Sequence, residues 1–137
     1  RLIRLLREDP KVRVLYKEWP VFGKVSEYAA RSAIAAKWQG KYLPAHDALI
    51  TSRQDLDATA DVDVTLKNAG IDLRKLDQDR RLHAAEIDAT LARAASEAQA
   101  LGLRGTPGLI VGREFSASSL PVAALRELVG QARASDR

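Results

Sequence analysis

Gly105-Thr106-Pro107-Gly108, followed at once by Leu109-Ile110-Val111 and a second turn at Gly112-Arg113, is the stretch that most narrows what this chain can become. The ring of Pro107 clashes with the backbone of Thr106 and drives it out of the α region. Pro107 has no N–H to give to a sheet ladder, and the peptide bond before it adopts the cis form at modest cost. The run therefore predicts an extended turn entering a short, buried-type strand. The Thr106 backbone is left unpaired on the side where Pro107 cannot donate, an edge on which another extended chain can lie. A plain helix-to-strand loop with proline as terminator uses the same residue types, so the flanking sequence has to decide between the two. Gly105, Thr106 and Pro107 are the candidate binding residues.

A length of 137 residues fits one domain and suffices to bury about two-thirds of the unfolded surface. Apolar residues at 46% and charged residues at 29% belong to a globular protein and argue against disorder. No apolar run approaches the roughly 20 residues a membrane-spanning helix needs. The net charge of +4 comes from Lys and Arg mixed with Asp and Glu along the whole chain. Nucleic-acid binding calls for a clustered basic face, so nucleic acid is not an expected partner. There are no cysteines, hence no disulfide, no thiolate nucleophile and no thiolate metal site. His46 and His83 are too far apart in sequence to form a local metal motif, and no cofactor is expected. The first residue, Arg1, is not methionine, so the lack of a leader carries no information.

Residues 1–9 place apolar side chains at 2, 3, 5 and 6 and cations at 1, 4 and 7, without an N-cap or an acidic first turn. This reads as the closing turns of a longer helix. After Pro10, Val12, Val14 and Tyr16 alternate with Arg13 and Lys17, which predicts a strand over 11–17. A helix is expected over 26–39, capped by Ser26 and closed by Gly40, with Tyr28, Ile34 and Trp38 among small residues. Another covers about 43–51, with Pro44 in its first turn and His46 as a half-buried packing residue rather than a ligand. A short helix follows over 61–69, directing Val62 and Leu66 inward and ending at Gly70; Asp72 caps the next turn, ahead of Leu73 and Leu76. The longest helix is expected over 80–101, on the spacing of Ile87, Leu91, Ala94, Ala98 and Leu101. The strand 109–111 then pairs with 114–116 as a hairpin, and a last helix over about 121–132 buries Val122, Leu125, Leu128 and Val129. There is no internal repeat.

That order and its landmarks resemble the DsbA-like thiol–disulfide oxidoreductases over nearly the whole chain. The resemblance rests on Val12-Arg13-Val14-Leu15-Tyr16-Lys17-Glu18-Trp19-Pro20-Val21-Phe22-Gly23, on Ser26-Glu27-Tyr28-Ala29-Ala30-Arg31, and on Gly40-Lys41-Tyr42 leading to His46-Asp47-Ala48-Leu49. It closes with Ala100-Leu101-Gly102-Leu103-Arg104-Gly105-Thr106-Pro107. The fold implied is α/β, a thioredoxin-like sheet interrupted by an inserted helical block. As a domain plan, residues 24–101 form the helical block with the helix leading to the Gly-Thr-Pro loop, and 1–23 with 102–137 form the thioredoxin-like parts of one domain. The resemblance further implies that Pro107 is a cis-proline beside the redox centre and that Thr106 pairs with substrate backbone. Implied partners are protein or peptide thiol substrates and a redox partner protein. The implied location is the cell envelope, periplasmic or secreted.

The family's Cys-x-x-Cys motif belongs at the start of its first helix, and no residue of this chain occupies that place. Family chemistry needs a thiolate that attacks and leaves in disulfide exchange. The chain as written is therefore expected to be redox-inactive and to have no catalytic residue, with the activity assigned to the intact protein. Two readings stay open beside this one: a relative of the kappa-class glutathione transferases and isomerases with serine in the cysteine's place, and a non-catalytic peptide-binding thioredoxin-fold module. A helical adaptor unrelated to thioredoxin is a further alternative. In the thioredoxin arrangement a first strand lies between strand 11–17 and strand 109–111. Unpaired backbone rows are costly, so that place is expected to be filled by a preceding segment or a neighbouring chain, or closed by direct pairing of the two strands. Lys17 with Glu18 is a candidate buried charged pair, although a solvated strand end is the commoner outcome. Trp19 and Trp38 are expected in core packing, and Arg104 as a surface charge.

Overall fold

Residues 2–116 and 118–136 are described by a computed structural model of the chain. They form seven α-helices, one 3-10 turn and a two-stranded sheet, divided between two compact units. One unit is Glu18–Glu97; the other joins Arg1–Lys17 to Ala98–Arg137.

The helical unit is built on alanine. Helix α2 (Lys24–Ala35) buries Ala30, Ala33, Ile34 and Ala35, and the small side chains let α3 (Tyr42–Ile50), α4 (Thr59–Asn68) and α5 (Leu73–Leu82) pack closely on it. The core gathers Ile34, Ala45, Val62, Leu66, Ile71, Leu76 and, from α6 (Ala84–Ala100), Ile87. Glycine closes two of these elements. Gly70, at φ 82°, reverses the chain after α4, and the Ile71 N–H then reaches back to the Leu66 carbonyl at 3.0 Å while both side chains enter the core. Asp72 caps α5 by accepting a hydrogen bond from the Lys75 N–H at 3.0 Å, as its position predicts. The buried Ser32 hydroxyl is satisfied twice: it donates to the Tyr28 carbonyl at 2.7 Å and accepts from Arg80 at 2.9 Å.

Helix boundaries differ from expectation: the helix expected over 26–39 ends as α2 at Ala35 and continues as a 3-10 turn, and the last helix runs on to Ser135. Ser26 does not cap α2; the helix starts at Lys24 after Gly23, whose φ of 84° turns the chain three residues earlier than a serine cap would. The continuous helix expected over 80–101 is two helices, because His83 leaves helical geometry at φ −108°, ψ 21°. Its ring lies flat on Trp38, with centroids 3.8 Å apart and planes 2° from parallel. Trp38 belongs to the 3-10 turn Ala36–Gln39 and arrives from far back in the chain, so no local pattern announces the break.

In the second unit, α1 (Leu2–Glu8) packs against α7 (Val122–Ser135) and each buries one leucine, Leu5 and Leu125. Charged residues close the contact. Arg126 holds Glu8, and Arg133 grips both oxygens of Asp9 at 2.7 and 3.1 Å. The hairpin forms as expected: β1 (Leu109–Val111) runs antiparallel to β2 (Glu114–Ser116), pairing Leu109 with Ser116, Ile110 with Phe115 and Val111 with Glu114. It is not a buried-type strand, however. Ile110 and Phe115 face out together, more than half exposed, while Leu109 and Val111 are half-buried on the other face, in the unit where α7 packs on β1. Leu101, expected to point inward, is 43% exposed at the end of α6.

The strand expected over 11–17 is absent. The segment keeps the alternation, with Val12, Val14 and Tyr16 half-buried and Arg13, Leu15 and Lys17 exposed, but it enters no ladder among the described residues. A side-chain period of two makes a chain extended; only a neighbouring backbone makes it a strand. Direct pairing between this segment and β1 does not occur among the described residues, where the only partner of β1 is β2.

Candidate functional site

The loop singled out in the sequence is positioned by the end of α6. Gly102, at φ 69°, reverses the chain, and the Leu103 N–H then closes on the Ala98 carbonyl at 2.9 Å. The Leu103 side chain folds over Gly108, so closely that a β-carbon there would lie 2.9 Å from Leu103 Cδ1. Residues 104–107 are thereby held as a short arch between a fixed helix end and the start of β1. Gly105 is half-buried, and Arg104, Thr106 and Pro107 are exposed. The Thr106–Pro107 peptide bond is cis. Among the described residues Thr106 makes no backbone hydrogen bond. An exposed residue whose backbone makes no such bond, beside a proline that cannot donate, presents an edge for an extended chain.

A second polar cluster lies within the helical unit. Glu18 is half-buried, with a side chain 15% exposed, and its Oε1 accepts a hydrogen bond from the Tyr42 hydroxyl at 2.9 Å. The same oxygen lies 2.6 Å from His46 Nδ1. Glu18, opposed by burial and aided by Asp47, raises the His46 imidazole above its ordinary 6.5. Glu18 is thus not a solvated strand end: its carboxylate meets Tyr42 and His46. His46 is half-buried, as expected, but tied to a carboxylate rather than simply packed. Each residue is visible in sequence; their meeting is not, because 28 residues separate them and the turn between brings α3 back.

Trp38 is partly buried against the core and stacked on His83, with the Lys37 ammonium 4.2 Å from the Trp38 ring centroid. Trp19 is half-buried. No group of three or more His, Asp or Glu among the described residues is arranged to hold a metal ion. No helix among them is long and apolar enough to cross a membrane.

The DSBA-like thioredoxin domain matches residues 2–130. The chain is 35% identical to a thioredoxin-like oxidoreductase from Silicibacter pomeroyi DSS-3 over 96% of its own length and 75% of that chain, with a TM-score of 0.88. It is 26% identical to the thiol-disulfide exchange protein alpha-DsbA2 from Wolbachia pipientis, covering 94% of itself and 70% of that protein at a TM-score of 0.84. Likeness to Proteus mirabilis ScsC, at 21% identity and a TM-score of 0.83 over 99% of this chain and 74% of that one, is a likeness of fold. No curated protein matches the chain. The expected fold class, thioredoxin-like α/β with a helical block, is the one observed.

Proposed function

We propose, since this chain belongs to the DSBA-like thioredoxin-domain family, that it supplies the substrate-holding part of a thiol–disulfide oxidoreductase acting on cysteine pairs in extended protein segments. Gly105, Thr106 and Pro107 form the substrate loop. The observation that carries this reading is that Thr106 is an exposed residue whose backbone has no backbone hydrogen-bond partner among the described residues. An extended substrate adds to it as a strand, receiving the Thr106 N–H and donating to its carbonyl. Disulfide exchange itself requires a thiolate, and the chain has no cysteine, so these 137 residues bind without exchanging. The substrates are protein thiols and disulfides, the companion is a redox partner protein, and the compartment is the cell envelope, periplasmic or secreted.

The test is a titration of the labelled chain with an extended peptide carrying a disulfide-bonded cysteine pair. The amide signals of Gly105, Thr106 and Gly108 should move together. Thr106→Ala keeps the backbone groups and should bind as the parent does. Thr106→Pro removes the N–H and should weaken binding about three- to tenfold, the worth of one hydrogen bond. Signals that move elsewhere, or equal binding by both variants, would refute the substrate loop. In an insulin-reduction assay the chain should give no turnover above a protein-free blank.

A further inference from the structure

Glu18 is the first residue of the helical unit as the chain enters it from Lys17. From there the chain passes through Trp19, Pro20, Val21 and Phe22 in no regular element until α2 begins at Lys24. Tyr42 and His46, one turn apart on α3, both reach the Glu18 carboxylate, at 2.9 and 2.6 Å. Their rings stack at 5.7 Å between centroids and 28° between planes. The Glu18 and His46 side chains are 15% and 14% exposed, so this contact is shielded, whereas Phe22, at the far end of the segment, is 80% exposed.

We propose that Glu18, Tyr42 and His46 form a pH-sensitive clasp that holds segment 18–22 firmly on α3 when His46 carries its proton and loosely when it does not. A protonated imidazole gives the carboxylate a charge-assisted hydrogen bond and a countercharge in a shielded setting. A neutral imidazole leaves only neutral donors to a half-buried carboxylate, whose desolvation is then poorly compensated. The charges that raise the imidazole are Glu18 from the segment and Asp47 from α3 itself. With the folded midpoint raised, the clasp is fully set below pH 6.5, the ordinary value, and is lost as pH rises through the raised midpoint. The device responds to the window in which histidine alone titrates without unusual burial.

His46 and His83 are the only histidines, so their imidazole signals separate readily in a pH titration of the 137-residue chain by nuclear magnetic resonance. His46 should titrate above 6.5. Relaxation dispersion at the Trp19, Val21 and Phe22 amides should show the open segment gaining population through the same midpoint, about tenfold for each pH unit by which it exceeds the ordinary value. Glu18→Gln should return the His46 midpoint to the ordinary range or below and abolish the step in the amides. Tyr42→Phe, which keeps the charged pair, should retain the step. A His46 midpoint at or below 6.5, a midpoint unmoved by Glu18→Gln, or amides without a step at that pH would each overturn the clasp. If Glu18→Gln loses its helical circular dichroism, coincidence of the two midpoints in the parent chain decides alone.

Discussion

At Gly112 the backbone turns at φ 61°, and a methyl group there would lie 2.7 Å from the Cβ of Ala132 in α7. Two costs coincide: the left-handed conformation penalises any side chain, and the space is already taken by a helix. Gly112→Ala should destabilise the unit containing the hairpin by about 2–4 kcal/mol, read as a lower denaturant midpoint for hairpin and α7 signals. An unchanged midpoint would mean that α7 does not lie where the contact puts it. That a glycine belongs in a two-residue hairpin turn is legible in the sequence, since the requirement is local. The crowding by Ala132 is not, because it arises from an element that comes later in the chain. The same division separates Asp72, whose cap depends on the next three residues, from Ser26, whose expected cap is displaced by the turn at Gly23.

Between α1 and α7 the contact is sealed by carboxylates held by arginines. Hydrogen bonding to Arg126, and then to Arg4, lowers Glu8 below its ordinary 4.5, and hydrogen bonding to Arg133 lowers Asp9 below 3.8. A depressed folded value means stability that is present above the ordinary value and is lost as pH falls through the depressed one. Acidification below about pH 4 should therefore loosen α7 from α1 before it disturbs the helical unit, and added salt should reduce the effect because the pairs are partly solvated. Arg133→Gln should return the Asp9 carboxyl carbon titration toward its ordinary midpoint; no change would show that the pair does not form in solution. At this scale the β1–β2 hairpin was readable from the Gly112-Arg113 turn that follows the apolar run Leu109–Val111. The single helix expected over 80–101 was not so fortunate. Good helix formers flank His83 on both sides, and a Trp38 ring from another element decides where the helix divides.

Across the whole chain, buried apolar side chains are unevenly shared between the units. Among the described residues, Glu18–Glu97 buries Ile34, Val62, Leu66, Ile71, Leu76 and Ile87 with several alanines, whereas the other unit buries Leu5, Ala98 and Leu125. Each large buried side chain contributes about 1.5–3 kcal/mol of transfer free energy, so the helical unit should resist opening the longer. Hydrogen exchange read by mass spectrometry should show amides of the hairpin and α7 exchanging before those of α4 and α5; equal protection would mean that the chain opens as one cooperative block. Much of the molecule follows from the sequence by itself: the apolar stripes of α2, α4, α5 and α7, the glycine closures at Gly40 and Gly70, the hairpin, and the turn at Thr106-Pro107. Each rests on a steric or hydrogen-bonding condition satisfied within a few neighbouring residues. Only the tertiary structure decided that segment 11–17 enters no ladder among the described residues, that His83 divides two helices, and that Glu18 meets Tyr42 and His46. Those outcomes require a second backbone, an aromatic face or a countercharge from a distant part of the chain, and a sequence pattern records the need for such a partner without naming it.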